Sequence, residues 1–215
     1  MTLDAYADLA TFLDFVRDAD GTDSDLATIA LEASARAIDR ACNRSFNVAA
    51  AAVSTRYFSY VRPREVDYPI SSYPATWYRH SILTIDDVFD DAGMVVQFDT
   101  AGDATYATTT TAYRLGPINA AARSMPFMQA VFDAGTYPPT HLWGVKVQAL
   151  WGWDAIPQTI VHANLLQAAR FFKRRDAAFG IAGSPEMGNE IRLLSKLDPD
   201  VALMVAAFKR NWGAV

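Results

Sequence analysis

The chain has 215 residues, 51% of them apolar and 20% charged, with a formal net charge of -5. Length and composition give a globular chain able to bury a sizeable core, and they exclude a disordered one. The acidic balance argues against a general nucleic-acid binder, whose surface carries a basic excess, and leaves open only a local basic patch.

Cys42 is the only cysteine, so no intrachain disulfide forms and a cysteine-based zinc site is nearly excluded. The start, "MTLDAYADLATFLDFV", has acids where a secretory leader needs cations before its apolar run. No stretch approaches the roughly 20 apolar residues of a membrane helix. A protein of the reducing cytoplasm, without a membrane partner, is the expectation.

In chain order, the segment from Thr2 to Arg17 sets Leu3, Tyr6, Leu9, Leu13 and Val16 at helical spacing on one stripe. "DADGTDSD" interrupts it. A second helix is predicted from Thr22, with Asp25 at the third position of a capping-box variant, through Leu26, Ile29, Ala33, Ala37 and Ile38 to about Cys42. Its small residues Ala30, Ala33, Ser34 and Ala37 admit a close helical neighbour. The two helices should run antiparallel.

After Phe46 the pattern changes. "VSTRYFSYV" reads as a strand, and "RPREVDYPISSYPATWYRH" as a long loop with three prolines. "SILTIDDVF" and "GMVVQFD" read as strands joined by a turn at Asp90-Asp91-Ala92-Gly93, and "ATTTTAYRL" as a further strand. "WGVKVQALWGW" is the last strand, returning to helical sequence. Pro157 suits a first helical turn, with Asp154 upstream as a cap. Ile160, Val161, Leu165, Ala168, Ala169 and Phe172 then mark a helix of about five turns. "GIAGSPEMGNE" ends it, and a final helix runs from Asp200 to about Asn211. The fold class is therefore α+β: a helical bundle formed by residues 1–43 and 154–215, with a β-rich central insertion over residues 44–153.

Little in the chain looks like chemistry. His80, His141 and His162 form no metal-binding pair, and nucleophile-elbow, P-loop and dinucleotide motifs are absent. The pairs Asp86-Asp87 and Asp90-Asp91 offer carboxylates for a divalent cation, but adjacent acids at strand ends are usually solvated. No enzyme activity, cofactor or metal is expected. Trp151 and Trp153 are expected to pack where sheet meets helix. Tyr68, Tyr73, Trp77 and Tyr78, in the long loop, form either a recognition surface or a cover over the sheet.

Several segments carry a resemblance. "WGWDAIP" is followed by "QTIVHANLLQAARFFKRRDAAFG", a loop "IAGSPEMGNEIRLL" and "LDPDVALMVAAFKR". At the other end "DGTDSDLATIALEASARAIDRACNRSF" pairs two helices with Arg44-x-Phe46, and "YRLGPINAAA" and "VKVQALWGW" lie between. This order resembles the tailed-bacteriophage head-to-tail connector (adaptor) family, in the form common in actinobacteriophages. The resemblance implies a ring of about a dozen copies, bound under the portal protein in the virion neck and assembled in the host cytoplasm. Its partners would be the portal, neighbouring copies, a stopper or tail-completion protein, and double-stranded DNA in transient passage. Ring closure needs unlike faces that match between neighbours. The resemblance covers both helical ends well and the β-rich insertion loosely, and it implies no particular role for the insertion; a neck stopper or tail-completion protein is the alternative assignment.

The basic cluster Arg170, Lys173, Arg174 and Arg175 has three bland readings: cations at a helix C-terminus, pairing with Asp176, Glu186 or Glu190, and long stems covering apolar surface. Its functional readings are contact with a neighbouring protein and, in a different class, a nucleic-acid-binding module. A fixed clamp would resist DNA sliding through a channel, so protein contact is preferred. Lys209, Arg210 and Trp212 are the second candidate contact, because connector C-termini engage the portal by resemblance. Phe208 and Trp212, four apart, equally suit packing of the last helix.

Overall fold

The computed structural model describes residues 5–17, 23–62, 81–174, 181–182, 191–192 and 197–210. In chain order the elements are α1 (Leu9–Val16), α2 (Ser24–Cys42), β1 (Ser54–Phe58), β2 (Ser81–Val88), β3 (Val95–Phe98), β4 (Thr108–Thr110) and β5 (Tyr113–Gly116). Then follow β6 (Phe127–Phe132), β7 (Val145–Ala149), α3 (Gln158–Lys173), β8 (Ile181–Ala182), β9 (Ile191–Arg192) and α4 (Pro199–Val205). The protein thus mixes helix and sheet. It folds as two units, one from Met1–Phe46 with Ile156–Gly213, the other from Asn47–Ala155.

The first unit is helical. Asp8 starts α1 by accepting hydrogen bonds from Thr11 N at 2.8 Å and Thr11 Oγ1 at 2.6 Å. The helix therefore begins seven positions later than the Thr2 expected, and Phe12, not the Leu9–Leu13–Val16 stripe, is its buried residue. Residues 5–7 are bent, held where Asn164 Oδ1 accepts from Tyr6 N (3.1 Å) and Ala7 N (3.0 Å).

α2 starts behind Asp23, whose side chain makes no cap, so Asp25 lies in the first turn and closes no box from Thr22. Its buried face is Ala27, Ala30, Leu31, Ser34, Ala35, Ile38 and Cys42. These are mostly small, which is why α3 packs so closely there. Leu26 and Ile29, two of the apolar residues that mark the helix in the sequence, are 44% and 61% exposed. α3 begins after Pro157 with no side-chain cap, so Asp154 does not serve as one. α4 is capped by Asp198, which accepts from Asp200 N at 2.9 Å. It is shorter than expected, tightening into a 3-10 turn over Ala206–Phe208.

The second unit holds two antiparallel sheets, ordered β1-β7-β3-β4 and β2-β6-β5. Alternation sets their inner faces: Leu83 and Ile85 from β2, Val96 and Phe98 from β3, Val145 and Val147 from β7 share one core. Phe98 and Phe132, 5.5 Å apart, meet across the two sheets. The turn at Asp90–Gly93 forms as expected, with Ala92 N donating to Asp90 Oδ1 (2.9 Å) and Gly93 at φ +68. It does not close a hairpin, because β2 and β3 belong to different sheets. "ATTTTAYRL" likewise splits into β4 and β5, one in each sheet. β6, the middle strand of its sheet, was not expected from the sequence.

Candidate docking surfaces

The basic cluster divides at the end of α3. Arg170 Nη1 donates to Asp198 Oδ2 at 2.8 Å, with only 13% of the arginine side chain exposed. Asp198 N donates in turn to Gln167 Oε1 at 2.9 Å, so this corner ties α3 to the start of α4. The acid that Arg170 meets is Asp198; Asp176, Glu186 and Glu190, the acids named from the sequence, lie outside the described residues. Lys173 is exposed at the last position of α3, where a cation also complements the helix dipole. The Arg174 guanidinium lies 5.7 Å from the Phe171 ring centroid. Arg175 lies outside the described residues, as do Trp212, His80, Tyr68, Tyr73, Trp77 and Tyr78.

The C-terminal candidates also divide. Lys209 is exposed, but Arg210 is only 6% exposed. Arg210 N donates to Cys42 O at 2.7 Å, and Asn43 Nδ2 donates to Arg210 O at 3.3 Å. Arg210 is thus built into the helical unit, with little of it at the surface. Nearby, the Arg44-x-Phe46 motif explains itself. Arg44 Nη1 donates to Phe208 O at 3.3 Å, and Phe46 stands edge-on to both Tyr6 and Phe208 at 5.7 Å. Tyr6 Oη donates to Asp39 and accepts from Phe46 N at 3.0 Å. Burial, then the Asp39 hydrogen bond, pushes its phenol well above the usual range. Cys42 is buried, and that burial raises its thiol to about 11, so it is unreactive.

A surface that the sequence reading missed lies in the sheet unit. Leu142 and Trp143 are 67% and 60% exposed, and Trp143 has φ +57, a conformation that bulky residues avoid. The backbone of Trp143 is fixed at both ends: its N–H donates to Ser59 Oγ and its carbonyl accepts from Tyr106 Oη, each at 2.8 Å. Beneath it, buried Asp99 accepts from the backbone N–H groups of Gly102 (2.7 Å), Ala104 (2.9 Å), Ala101 (3.2 Å) and Asp103 (3.3 Å). His141, read from sequence as a polar turn residue, places Nε2 2.7 Å from Asp99 O and Nδ1 3.3 Å from Leu142 O. Two carbonyls call for two N–H donors, which only the imidazolium supplies.

This loop should respond to pH. The hydrogen bonds to the Asp99 and Leu142 carbonyls, with the Asp99 charge, raise the His141 pKa above its ordinary 6.5. Its contribution to stability is then complete below about pH 6.5 and is lost as pH rises through the folded value. For Asp99, desolvation pushes the pKa up, but the backbone donors of Gly102, Ala104 and Asp103 outweigh it and lower the pKa from 3.8. That contribution is present above pH 3.8 and fades as pH falls through the lowered value. The melting-temperature advantage of the wild type over His141→Gln is expected to be largest below pH 6.5 and to shrink in alkali. An advantage independent of pH would mean that the ring stays neutral.

A second apolar feature lies in the helical unit. Leu26, Ile29, Ala30 and Ala33 of α2, with Phe171 and Phe172 of α3, line an open groove of about 190 Å³. Phe172 is steadied from below by Phe12, edge-on at 5.8 Å.

In the acidic pairs, the Asp86 and Asp90 carboxylates have structural partners, and Asp87 and Asp91 accept through their backbone carbonyls. Asp86 accepts from Arg56 Nη1 at 2.6 Å, Asp87 is buried and its carbonyl accepts from Gly152 N at 2.8 Å, and Asp90 forms its turn. Among the described residues no group of three His, Cys, Asp or Glu side chains is placed to hold a metal. Among them, too, no helix is long and apolar enough to cross a membrane. His162 is exposed, edge-on to Phe15 at 6.4 Å. Trp151 and Trp153 are both buried, and Trp151 belongs to the core of the sheets.

No protein-family model and no curated protein matches the chain. Among solved structures, a chain from the neck of an empty GTA particle, computed with C6 symmetry, is similar over 97% of this chain and 93% of its own. The TM-score is 0.50 and the identity 17%. At that identity the likeness shows a shared fold, and it runs through both units.

Proposed function

We propose that this chain is a structural, non-enzymatic neck protein of a tailed phage: a head-to-tail connector (adaptor) that forms a ring under the portal and extends the DNA channel towards the tail. The observation that carries the reading is the end-to-end likeness to a chain of a particle neck, covering 97% of this sequence. The order of segments at both ends of the sequence supports the same reading independently. Residues 1–43 and 154–215 act as its helical part and residues 44–153 as a β-rich insertion. Lys173 and Lys209, both exposed, are the cations best placed to touch the portal or a stopper protein, with Arg174, Arg175 and Trp212 beside them in sequence. Arg170 and Arg210 serve the fold. DNA passes through without being gripped, in keeping with the net charge of -5.

Native mass spectrometry of the protein, alone and with the portal encoded beside it, tests this. The expected result is a closed ring in one of the two conditions. Its mass gives the subunit number, about twelve by resemblance or a count compatible with the C6 symmetry of the similar structure. A chain that stays monomeric and ignores the portal would overturn the connector reading and point to a stopper.

A further inference from the structure

We propose that Trp143, with Leu142, is the knob by which one copy of this chain grips the next, and that it seats in the α2–α3 groove of the neighbour. The proposal rests on the ring reading and names its contact. A cyclic assembly of identical copies needs two unlike patches on each copy, one complementary to the other. The described surface carries such a pair: an exposed apolar corner in the sheet unit and a concave apolar groove in the helical unit.

The knob is built, not merely exposed. A tryptophan at φ +57 carries backbone strain, which persists only where the surroundings over-determine it. Here Ser59, Tyr106 and the Asp99–His141 base do so. Tyr106 is itself braced by Tyr57, 5.4 Å away, and by Lys146 Nζ, 5.8 Å from its ring centroid. With the main chain fixed, only the two side-chain torsions of the indole remain to be ordered on binding, which suits an interface anchor.

Size and charge select the occupant. A cavity of about 150 Å³ lined by Leu, Ile and Phe accepts a benzene ring, so a groove of about 190 Å³ has room for one indole and is far too small for a helix. Exposed Asp103 stands in the same loop cluster as the knob, and exposed Lys173 directly follows Phe172 at the rim.

Cysteine pairing tests the contact. Trp143→Cys in one preparation and Ile29→Cys in another are mixed under mild oxidation, with the portal present if the ring requires it. Cys42, buried, stays silent. The expected product is a covalent dimer of the two different variants, roughly tenfold or more above either variant alone. Trp143→Ala should weaken ring formation by a similar factor while leaving the melting temperature within a few degrees. A ring that forms without the mixed dimer and tolerates Trp143→Ala overturns this contact and leaves the connector reading standing. A chain that forms no ring in either condition overturns both. Capture of the knob by the portal, seen as a Trp143→Cys adduct to portal and not to Ile29→Cys, also overturns it.

Discussion

Replacing Asn164 by leucine is expected to remove most of the stability of the helical unit. Asn164 is fully buried in α3 and uses both ends of its amide. Its Oδ1 accepts from Tyr6 N and Ala7 N, and its Nδ2 donates to Leu31 O at 3.1 Å and to Ser34 Oγ. Ser34 Oγ donates back to Asn164 O at 2.9 Å. One side chain therefore fixes the N-terminal segment, α2 and α3 together. Leucine would leave the Tyr6 and Ala7 N–H groups buried with no partner, at about 1–3 kcal/mol each, and would also remove one hydrogen bond each from Leu31 O, which keeps its partner within α2, and from Ser34 Oγ, which still donates to the carbonyl of residue 164. A total loss of about 4 kcal/mol or more is expected, comparable with the whole stability of many domains. Denaturant titration followed by circular dichroism measures it. Asn164→Asp keeps the acceptor but loses both donors and buries a charge, so it too should be severely destabilised. It should recover in part on acidification, since the neutral acid regains one donor. A loss below about 1 kcal/mol for the leucine variant would show that water replaces the network.

The sequence made the elements legible where periodicity was strong and failed where partners are distant. α2, α3, β2, β3 and β7 all lie where their spacing placed them, within the usual uncertainty of element ends. α1 was read too long because Leu3 and Tyr6 fit the helical stripe, yet Asp8 intercepts Thr11 N and Asn164 holds residues 6 and 7 out of the helix. β6 was overlooked because "FMQAVF" has neither clean alternation nor β-branched enrichment, and its position between β2 and β5 is a long-range fact. The failed hairpin has the same cause: a turn residue fixes a change of direction, not the sheet in which the next strand pairs.

The surfaces were less legible than the fold. Charge alone drew attention to Arg170 and Arg210, but an arginine is as often a tie inside a fold as a contact outside it, and only the positions of Asp198 and Cys42 decide. Leu26 and Ile29 mark α2 by their spacing, but spacing does not say whether an apolar residue is covered, and their exposure is what reveals the groove. Asn164 did leave a signal. With Ile160 and Ala168 it shares one helical face at four-residue intervals, and a polar residue on a buried face demands a partner.

Gly152→Ala is expected to be the costliest small substitution in the sheet unit. Gly152 has φ +134, and a Cβ there would lie 2.7 Å from Asn47 O and 2.8 Å from both Ala49 N and Ala49 Cα. All three are backbone atoms, so no side chain can swing aside. Nor can the backbone retreat: Trp153 N donates to Asn47 O at 3.0 Å, Ala49 N donates to Trp153 O at 2.8 Å, and Gly152 N is held by Asp87 O. Trp151 is pinned on the other side, its Nε1 donating to Ser54 O at 2.8 Å and Arg56 lying 4.5 Å from its ring centroid. Backbone strain and overpacking together predict a loss of about 3 kcal/mol or more. Gly135→Ala is the matching control, because Gly135 also has a positive φ, +93, but nothing lies within 4 Å of its added Cβ. It should lose only the strain, about 1 kcal/mol. Denaturant titration of both variants isolates the close approach from the dihedral, and equal losses would refute it. The Trp-Gly-Trp spacing is thus explained by packing: the glycine lets residues 47–49 pass against the chain between two buried indoles.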